Sequence, residues 1–373
     1  MSDAPMTYAA AGVDIEAGDK AVELMKASIK SAQRPEVIGG LGGFAGLFDA
    51  STIARLEHPI LATSTDGVGT KVAIAQALDI HDTIGHDLVG MVVDDIVVCG
   101  AEPLFMTDYI ATGHVVPERI AAIVAGIADG CRLAGVALVG GETAEHPGLL
   151  EPDEYDVAGA ATGVVDRADL LTPERVRPGD VVLGLASSGL HSNGYSLVRR
   201  VVADAGWSLD RHVEEFGRTL GEELLTPTRV YAADLLSLLR AEDIHVHALA
   251  HVTGGGLAAN LARVLPGTAF ATVDRSTWTP PAVFATVRAL GRVPQADIER
   301  TLNLGIGFFA VLPADEADRA VAHLGARGIR TWVCGRVTAL ATTTPAAGIE
   351  VVRRAKGIDG GSVQLVGSHP ASS

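Results

Sequence analysis

Cysteine, lysine, aromatic residues and long apolar runs are all scarce in this chain of 373 residues, and each scarcity excludes something. The three cysteines, Cys99, Cys131 and Cys334, stand far apart with no CxxC among them. That argues against a disulfide framework or a zinc site and fits a reducing cytoplasm. Aromatics are 4% of the chain against 48% hydrophobic residues, so any core is built of Val, Ile, Leu and Ala. No apolar run reaches the length of a membrane span; the nearest, 301–314, carries Asn and two Gly. The opening MSDAPMTYAAAGVD lacks a basic region followed by an apolar core and does not read as a signal peptide. A net charge of −16 argues against nucleic acid or an anionic membrane as partner, while a small anionic ligand needs only a local basic island. There are five lysines, at 20, 26, 30, 71 and 356, so arginine supplies the rest of the 29 basic residues. Four lysines within the first 71 residues mark places where a compact ammonium is wanted, although a surface helix also accounts for three of them.

What is present centres on Ala62 to Lys71, ATSTDGVGTK, which follows the apolar Pro59-Ile60-Leu61 and is expected to leave the end of a buried strand. Gly67 and Gly69 permit positive φ or close approach of a ligand. Asp66 offers hard oxygens of the kind Mg²⁺ takes, and Lys71 a point charge for phosphate. Two readings fit: a nucleotide-phosphate site, or a βα turn whose Asp caps the next helix.

Residues 1–16 read as an arm. Val22, Met25 and Ile29 recur at helical spacing from Ala17 to Gln33, where Lys26 and Lys30 share a face. Ile38 to Phe48, IGGLGGFAGLF, holds five glycines and can fold over phosphates or serve as a plain flexible loop; it matches neither the P-loop nor GxGxxG. In the helix expected through LVGMVVDDIVVCGA, Leu88, Met91 and Val92 share a face with Asp95, so Asp95 is expected on the buried side with a site role and Asp94 in solvent. Strands are expected at 102–113, 136–139 and 155–165, with a helix at Pro117 to Leu133; Glu142 would lie just past a strand end, where α/β sites gather. The polar, Pro-containing 166–180 is the expected domain boundary. Beyond it a second α/β set begins, containing SSGLHSNGYS (187–196) and a strand, 245–252, that runs into Thr253-Gly254-Gly255-Gly256. His247 and His251 are expected on one side of that strand, in no metal pattern. From Ala346 the composition turns to Gly and Ser, and a disordered tail is expected to 373. The domains are therefore 17–168 and 175–345.

Taken together, AGVDIEAG, RPEVIGGLGGFAGLF, TDGVGTK, HDTIG, GAEPLF, LVGGETAE, YDVAG, SSGLHSNGYSLVR, LLTPTR, AHVTGGG and LNLGIGF, in this order, resemble the AIR synthetase (phosphoribosylformylglycinamidine cyclo-ligase) family over almost the whole chain from Tyr8 to about Val352. The resemblance implies an α/β chain of two domains with mixed sheets, and a cytoplasmic homodimer in which the N-terminal sheets of both subunits join. It implies ATP, Mg²⁺ and formylglycinamidine ribonucleotide as substrates, with 5-aminoimidazole ribonucleotide as product. On the ATP side it points to Lys30, Gly42, Gly43, Asp66, Gly67, Gly69, Thr70, Lys71, Asp95 and Glu142, with Asp66, Asp95 and Glu142 on the metal. On the ribonucleotide side it points to Ser188, His191, Ser192, Asn193, His251, Thr253, Gly254 and Gly255. His191, Asp66 and Lys71 are the expected catalytic groups. Three positions depart from the family pattern: Asp94 where Asn is expected, Leu190 where Pro is usual, and His86 in place of an apolar residue. A thiamine-phosphate kinase or selenophosphate synthetase of related fold is the alternative enzyme, and a nucleotide-sensing scaffold the alternative of another class.

Overall fold

The computed structural model describes residues 12–40, 43–353 and 357–370. Helix α1 (Ile15–Ser31) starts where the Asp14 carboxylate accepts the Ala17 N–H, and buries Ala21, Met25 and Ile29. A short hairpin follows, β1 (Val37–Ile38) with β2 (Leu47–Phe48). The first large sheet contains β3 (Pro59–Gly67), β4 (Glu102–Thr112), β5 (Ala137–Glu145) and β6 (Tyr155–Asp166), in the order β3-β6-β4-β5. Only the β4/β5 pair is parallel. Helices α2 (Val72–Leu78), α3 (Ile84–Val97) and α4 (Pro117–Ala134) come between these strands. Glycines 85, 126 and 130 let α3 and α4 pack closely: a Cβ on Gly85 would lie 1.9 Å from the Ile127 nitrogen.

The stretch expected to follow a buried strand is itself strand. β3 runs through Asp66 to Gly67 at the sheet edge, and its exposure alternates, with Leu61 64% exposed. Thr63 and Thr65 donate to the carbonyls of Ala161 and Gly159 across β6, so period-2 alternation of β-branched residues carries the strand further than the apolar run alone suggests. β5 likewise continues through Gly140 to Glu145, so Glu142 lies within the strand rather than past its end.

The two large sheets divide on either side of 166–180. The second one runs β10-β12-β7-β13-β11-β15-β14 and draws on β7 (Val181–Ala186), β10 (Ala248–His251), β11 (Ala269–Asp274), β12 (Ile306–Leu312), β13 (Thr331–Ala339), β14 (Val351–Arg353) and β15 (Ser362–Val366). A small hairpin, β8 (His212–Val213) with β9 (Arg218–Thr219), stands apart from it. Its helices are α5 (Tyr195–Asp204), α6 (Leu220–Leu224), α7 (Ala232–Leu239), α8 (Gly256–Arg263), α9 (Ala282–Gly291), α10 (Gln295–Thr301) and α11 (Ala317–Ala326). The expectation of a disordered tail is corrected here. β15 pairs in parallel with β11 and separates it from β14; Val363 is fully buried, and the Gln364 amide binds the Ala346 and Ile349 carbonyls. The reason is packing: β11 needs a partner on its open side, and SVQLV supplies one despite the Gly-rich surroundings. No described helix is long and apolar enough to cross a membrane.

Candidate active site

Three loops meet against α3. Beyond β3 the chain turns at Gly69, which takes φ +69°, into a single 3₁₀ turn, Gly69–Lys71. The Ser192 hydroxyl donates to the Val68 carbonyl at 2.7 Å, and the Thr70 and Ser196 hydroxyls lie 3.2 Å apart. Asn193 accepts the Gly254 N–H at 3.0 Å and sets its amide 3.1 Å from the Met91 sulfur on α3. Gly255, at φ +107°, starts α8, and the Thr253 carbonyl accepts from Asn260. The turn expected to hold nucleotide and the two loops expected to hold the ribonucleotide are thus hydrogen-bonded to each other. Ser188 does not join them, because its exposed hydroxyl is engaged by the Pro227 carbonyl and the Arg229 N–H.

Lys71 does not face this cleft. It is completely buried, and its ammonium donates to Asp87 at 2.7 Å, the Thr226 carbonyl at 2.7 Å and the His191 carbonyl at 3.1 Å. All three donors of the ammonium are used, so the expected phosphate contact is not made. Burial lowers the Lys71 pKa while the Asp87 charge opposes that; burial likewise raises Asp87. Lys20, Lys26 and Lys30 on α1 are exposed; the first two pair with Glu118 and Glu23, whereas Lys30, in the last turn, has no hydrogen bond or ion pair among the described residues.

The carboxylates of α3 are also placed otherwise than their periodicity suggested. Asp94 is the fully buried one, and both its oxygens accept the Tyr231 N–H at 3.0 Å, at the start of α7. Burial pushes its pKa up to about 7. Asp95 is the exposed member, and its Oδ1 lies 2.9 Å from His251 Nδ1. The swap follows from the position of α3, which packs against the first sheet on one side and against α7 and β10 on the other, so apolar neighbours on one face do not identify the only buried face.

His191 is 1% exposed and lies in the interior, not in the cleft. Its Nε2 accepts the Ser188 N–H at 3.2 Å, its ring packs beside Tyr231, and burial holds its pKa well below the usual histidine value. Its backbone takes φ +61°, a strained value for a residue with a side chain, and its carbonyl receives Lys71. It therefore shapes the 187–196 loop from beneath. His251 is stacked on Phe308 at 4.7 Å, whereas His247 precedes the strand and binds Asp180, so the two histidines do not work together. Of the departures from the family pattern, Leu190 is core, and His86 pairs with Asp129 on α4.

Asp66, Asp95 and Glu142 do not form a metal site as a set. The register aligns Asp66 with Gly159 and Asp108, and Glu142 with Tyr109 and Ala158, one position along. Adjacent positions point to opposite faces, so Asp66 and Glu142 project from opposite sides of the sheet. Asp95 is held by His251. Among the described residues no three His, Cys, Asp or Glu side chains are grouped as a metal would require. Gly42 lies outside the described residues; Gly43 is exposed in the loop that leads to β2. What the sequence reading passed over is Asp108, on the buried face of β4 between Met106 and Ile110, a position that alternation along MTDYI would have marked.

The chain matches the family model described as AIR synthase related protein, N-terminal domain, over residues 48–165, and the corresponding C-terminal domain over 177–345. It is 49% identical over 332 residues to a phosphoribosylformylglycinamidine cyclo-ligase from Desulfitobacterium hafniense (strain DSM 10664 / DCB-2), covering 89% of this chain and 96% of the relative. A protein of the same name from Anaeromyxobacter sp. (strain Fw109-5) is 50% identical over 350 residues, covering 93% and 99%. Among solved structures, thiamine-monophosphate kinase from Stenotrophomonas maltophilia K279a superposes with a TM-score of 0.62 at 19% identity, covering 93% of this chain and 97% of that one. Hydrogenase maturation protein HypE in complex with ATP gives 0.57, also at 19% identity, covering 92% of each chain. At such identities the structural likenesses establish the shared fold.

Proposed function

The chain belongs to the AIR synthase family, as a relative of its phosphoribosylformylglycinamidine cyclo-ligases, and from that membership we propose that it closes formylglycinamidine ribonucleotide to 5-aminoimidazole ribonucleotide in the cytoplasm, consuming ATP and releasing ADP and phosphate. The observation that carries this reading is the joining of the Gly67–Lys71 turn to the 188–196 and 253–256 loops through Ser192, Thr70 and Asn193.

The formyl oxygen attacks the γ-phosphate and ADP leaves. The amidine nitrogen then adds to the activated carbon, phosphate departs, and the nitrogen loses a proton. Such chemistry is governed by positioning and by charge neutralisation. Lys30 and the backbone N–H groups of the glycine-rich loop meet the phosphates, and Asp66 stands at the end of β3 beside the turn. Ser192, Asn193 and the Gly254–Gly255 backbone form the ribonucleotide side. Asp95, partly exposed and fixed by His251, is placed to take the proton released on ring closure. Lys71 and His191 act from below: the buried ammonium ties the 191 and 226 carbonyls to α3, which fixes the loop over the turn. Mg²⁺ bound with ATP would neutralise phosphate charge.

The chain is further proposed to work as a homodimer through the open face of the first sheet. Leu61 and Tyr109 are exposed there, and Ala158 and Ala160 stand exposed between them. Such an uncovered sheet face suits a second copy.

The test is incubation of the purified chain with ATP and formylglycinamidine ribonucleotide, measuring ADP and the aminoimidazole together. ADP and aminoimidazole should form in equal amounts. ADP formation with thiamine phosphate alone would support the kinase alternative, and nucleotide binding without turnover the scaffold.

A further inference from the structure

We infer that Asp108 is the carboxylate with which this chain takes the divalent cation accompanying ATP, in a niche kept open by Gly141; the inference rests on the ATP-using reading above. Five acidic residues are buried as whole residues among the described residues, Asp87, Asp94, Asp108, Asp180 and Glu316, and the Glu145 side chain is buried too, where it accepts the Asp14 and Val115 N–H groups. Four of those five receive hydrogen bonds from other residues, although Asp87 does so on Oδ1 alone and leaves its buried Oδ2 without a partner. Asp87 receives Lys71 and Thr228, Asp94 the Tyr231 N–H, Asp180 the Arg177 N–H and His247, and Glu316 the His245 N–H and ring. Asp108, 8% exposed, receives no hydrogen bond or ion pair from any other described residue. A buried carboxylate without a partner is costly, and burial pushes this one up to about 7. Its oxygens are not among the enclosed side-chain atoms that lack a partner, so they can be reached from outside the protein by water or a cation.

The surroundings are built for such a group. Gly141 is the register partner of Asp108 on β5, and a Cβ there would lie 2.1 Å from Asp108 Oδ1 and 2.8 Å from its Cγ. Any other residue at 141 would collide with the carboxylate where it now lies. Gly141 is itself exposed, so the niche opens outward along β5, an edge strand. Two elements expected on the phosphates reach that edge. The glycine-rich loop returns there, with Gly46 pressed on Val139 so closely that a Cβ would lie 2.7 Å from its carbonyl oxygen. α1 ends there too, where the Ala32 carbonyl accepts the Leu138 N–H at 3.2 Å, two residues past Lys30. Asp66, Gly159, Asp108 and Gly141 also form one row across the sheet and face one side, with only glycine between the two carboxylates. Mg²⁺ is commonly held by one or two protein carboxylates together with substrate phosphates and water, so this row supplies what the Asp66, Asp95 and Glu142 set does not.

The experiment titrates Mn²⁺ into the full chain in the presence of a non-hydrolysable ATP analogue, following free Mn²⁺ by electron paramagnetic resonance, with melting temperatures measured without metal. For Asp108→Asn, Mn²⁺ binding should weaken by at least about ten-fold. Its metal-free melting temperature should equal or exceed that of the wild type, because an amide removes the unpaired buried charge. Gly141→Ala should weaken Mn²⁺ binding while the carboxylate is retained. Unchanged Mn²⁺ affinity in Asp108→Asn, or a clear loss of metal-free stability there, overturns the inference. If the analogue binds but Mn²⁺ affinity falls only in Asp66→Asn, the Asp108 assignment fails and the ATP reading stands. A wild-type chain that binds neither analogue nor Mn²⁺ refutes the ATP reading itself.

Discussion

Replacing Lys71 with methionine separates two incompatible roles for that residue. The side chain is completely buried and gives three hydrogen bonds, to Asp87, the Thr226 carbonyl and the His191 carbonyl, with its ammonium 5.5 Å from the centre of the Tyr195 ring. Methionine fills nearly the same volume, so little of the loss comes from packing. What remains is an Asp87 charge that keeps only Thr228 as donor, and two carbonyls that lose theirs. Breaking one side of a buried pair costs about 3–5 kcal/mol. For domains of this size that corresponds to a fall in melting temperature of roughly 6–20 °C. The loss should show in urea and thermal unfolding with no ligand present. Lys71→Met combined with Asp87→Asn should recover most of it, because the stranded charge is gone, and the two changes should be strongly non-additive. A phosphate-binding lysine behaves in the opposite way: stability within about 1 kcal/mol of wild type, a raised KM for ATP, and no rescue by the second change. That outcome would refute the assignment of Lys71 to the domain junction.

Three further outcomes are expected. Asp94 is held at about 7, above its ordinary 3.8, so the folded chain binds the extra proton between those values; the stability tied to this group is full at low pH and is lost as the pH rises through 7. Asp94→Asn lacks that loss, and from pH 5 to pH 8 its stability should gain on wild type by about 3 kcal/mol, whereas a flat difference would contradict the burial argument. Truncation after Ala346 removes β14 and β15, including buried Val363 and Leu365, and should cost about 3–6 kcal/mol for those two side chains alone, read as a lowered melting temperature or insoluble product. Asp66→Asn should lower turnover on the order of 10²-fold while the chain stays folded; near-normal turnover would remove Asp66 from the site.

The α/β alternation, the connector at 166–180 and the loops of the site were legible because each rests on local pattern: period 2 or 3.6 in apolar residues, broken by Gly and Pro. Partners distant in the chain were not legible. Nothing around Lys71 announces Asp87, and nothing around Asp94 announces the start of α7. Adjacent residues on a helix differ by about 100° in direction, so Asp94 and Asp95 can be told apart only once both packing surfaces of α3 are known. SVQLV was missed for a similar reason, since a five-residue apolar run acquires meaning only beside β11. Asp108 stood on the buried side of a clearly alternating strand, and a carboxylate at that parity is itself a signal.

The placement of β15 between β11 and β14 also sets an order of events during synthesis. β11 leaves the ribosome well before its neighbour exists, because roughly 90 residues separate the two strands, or about 5–18 s of translation. Until β13 is made β11 has neither neighbour, and from then until β15 emerges one edge stays bare, while the first domain, whose sheet is complete by Asp166, has already had time to fold. Nascent chains stalled before residue 362 should therefore carry a finished first domain and an unfinished second one that chaperones recognise. The second sheet closes only once residues 362–366 have emerged and paired with β11 and β14.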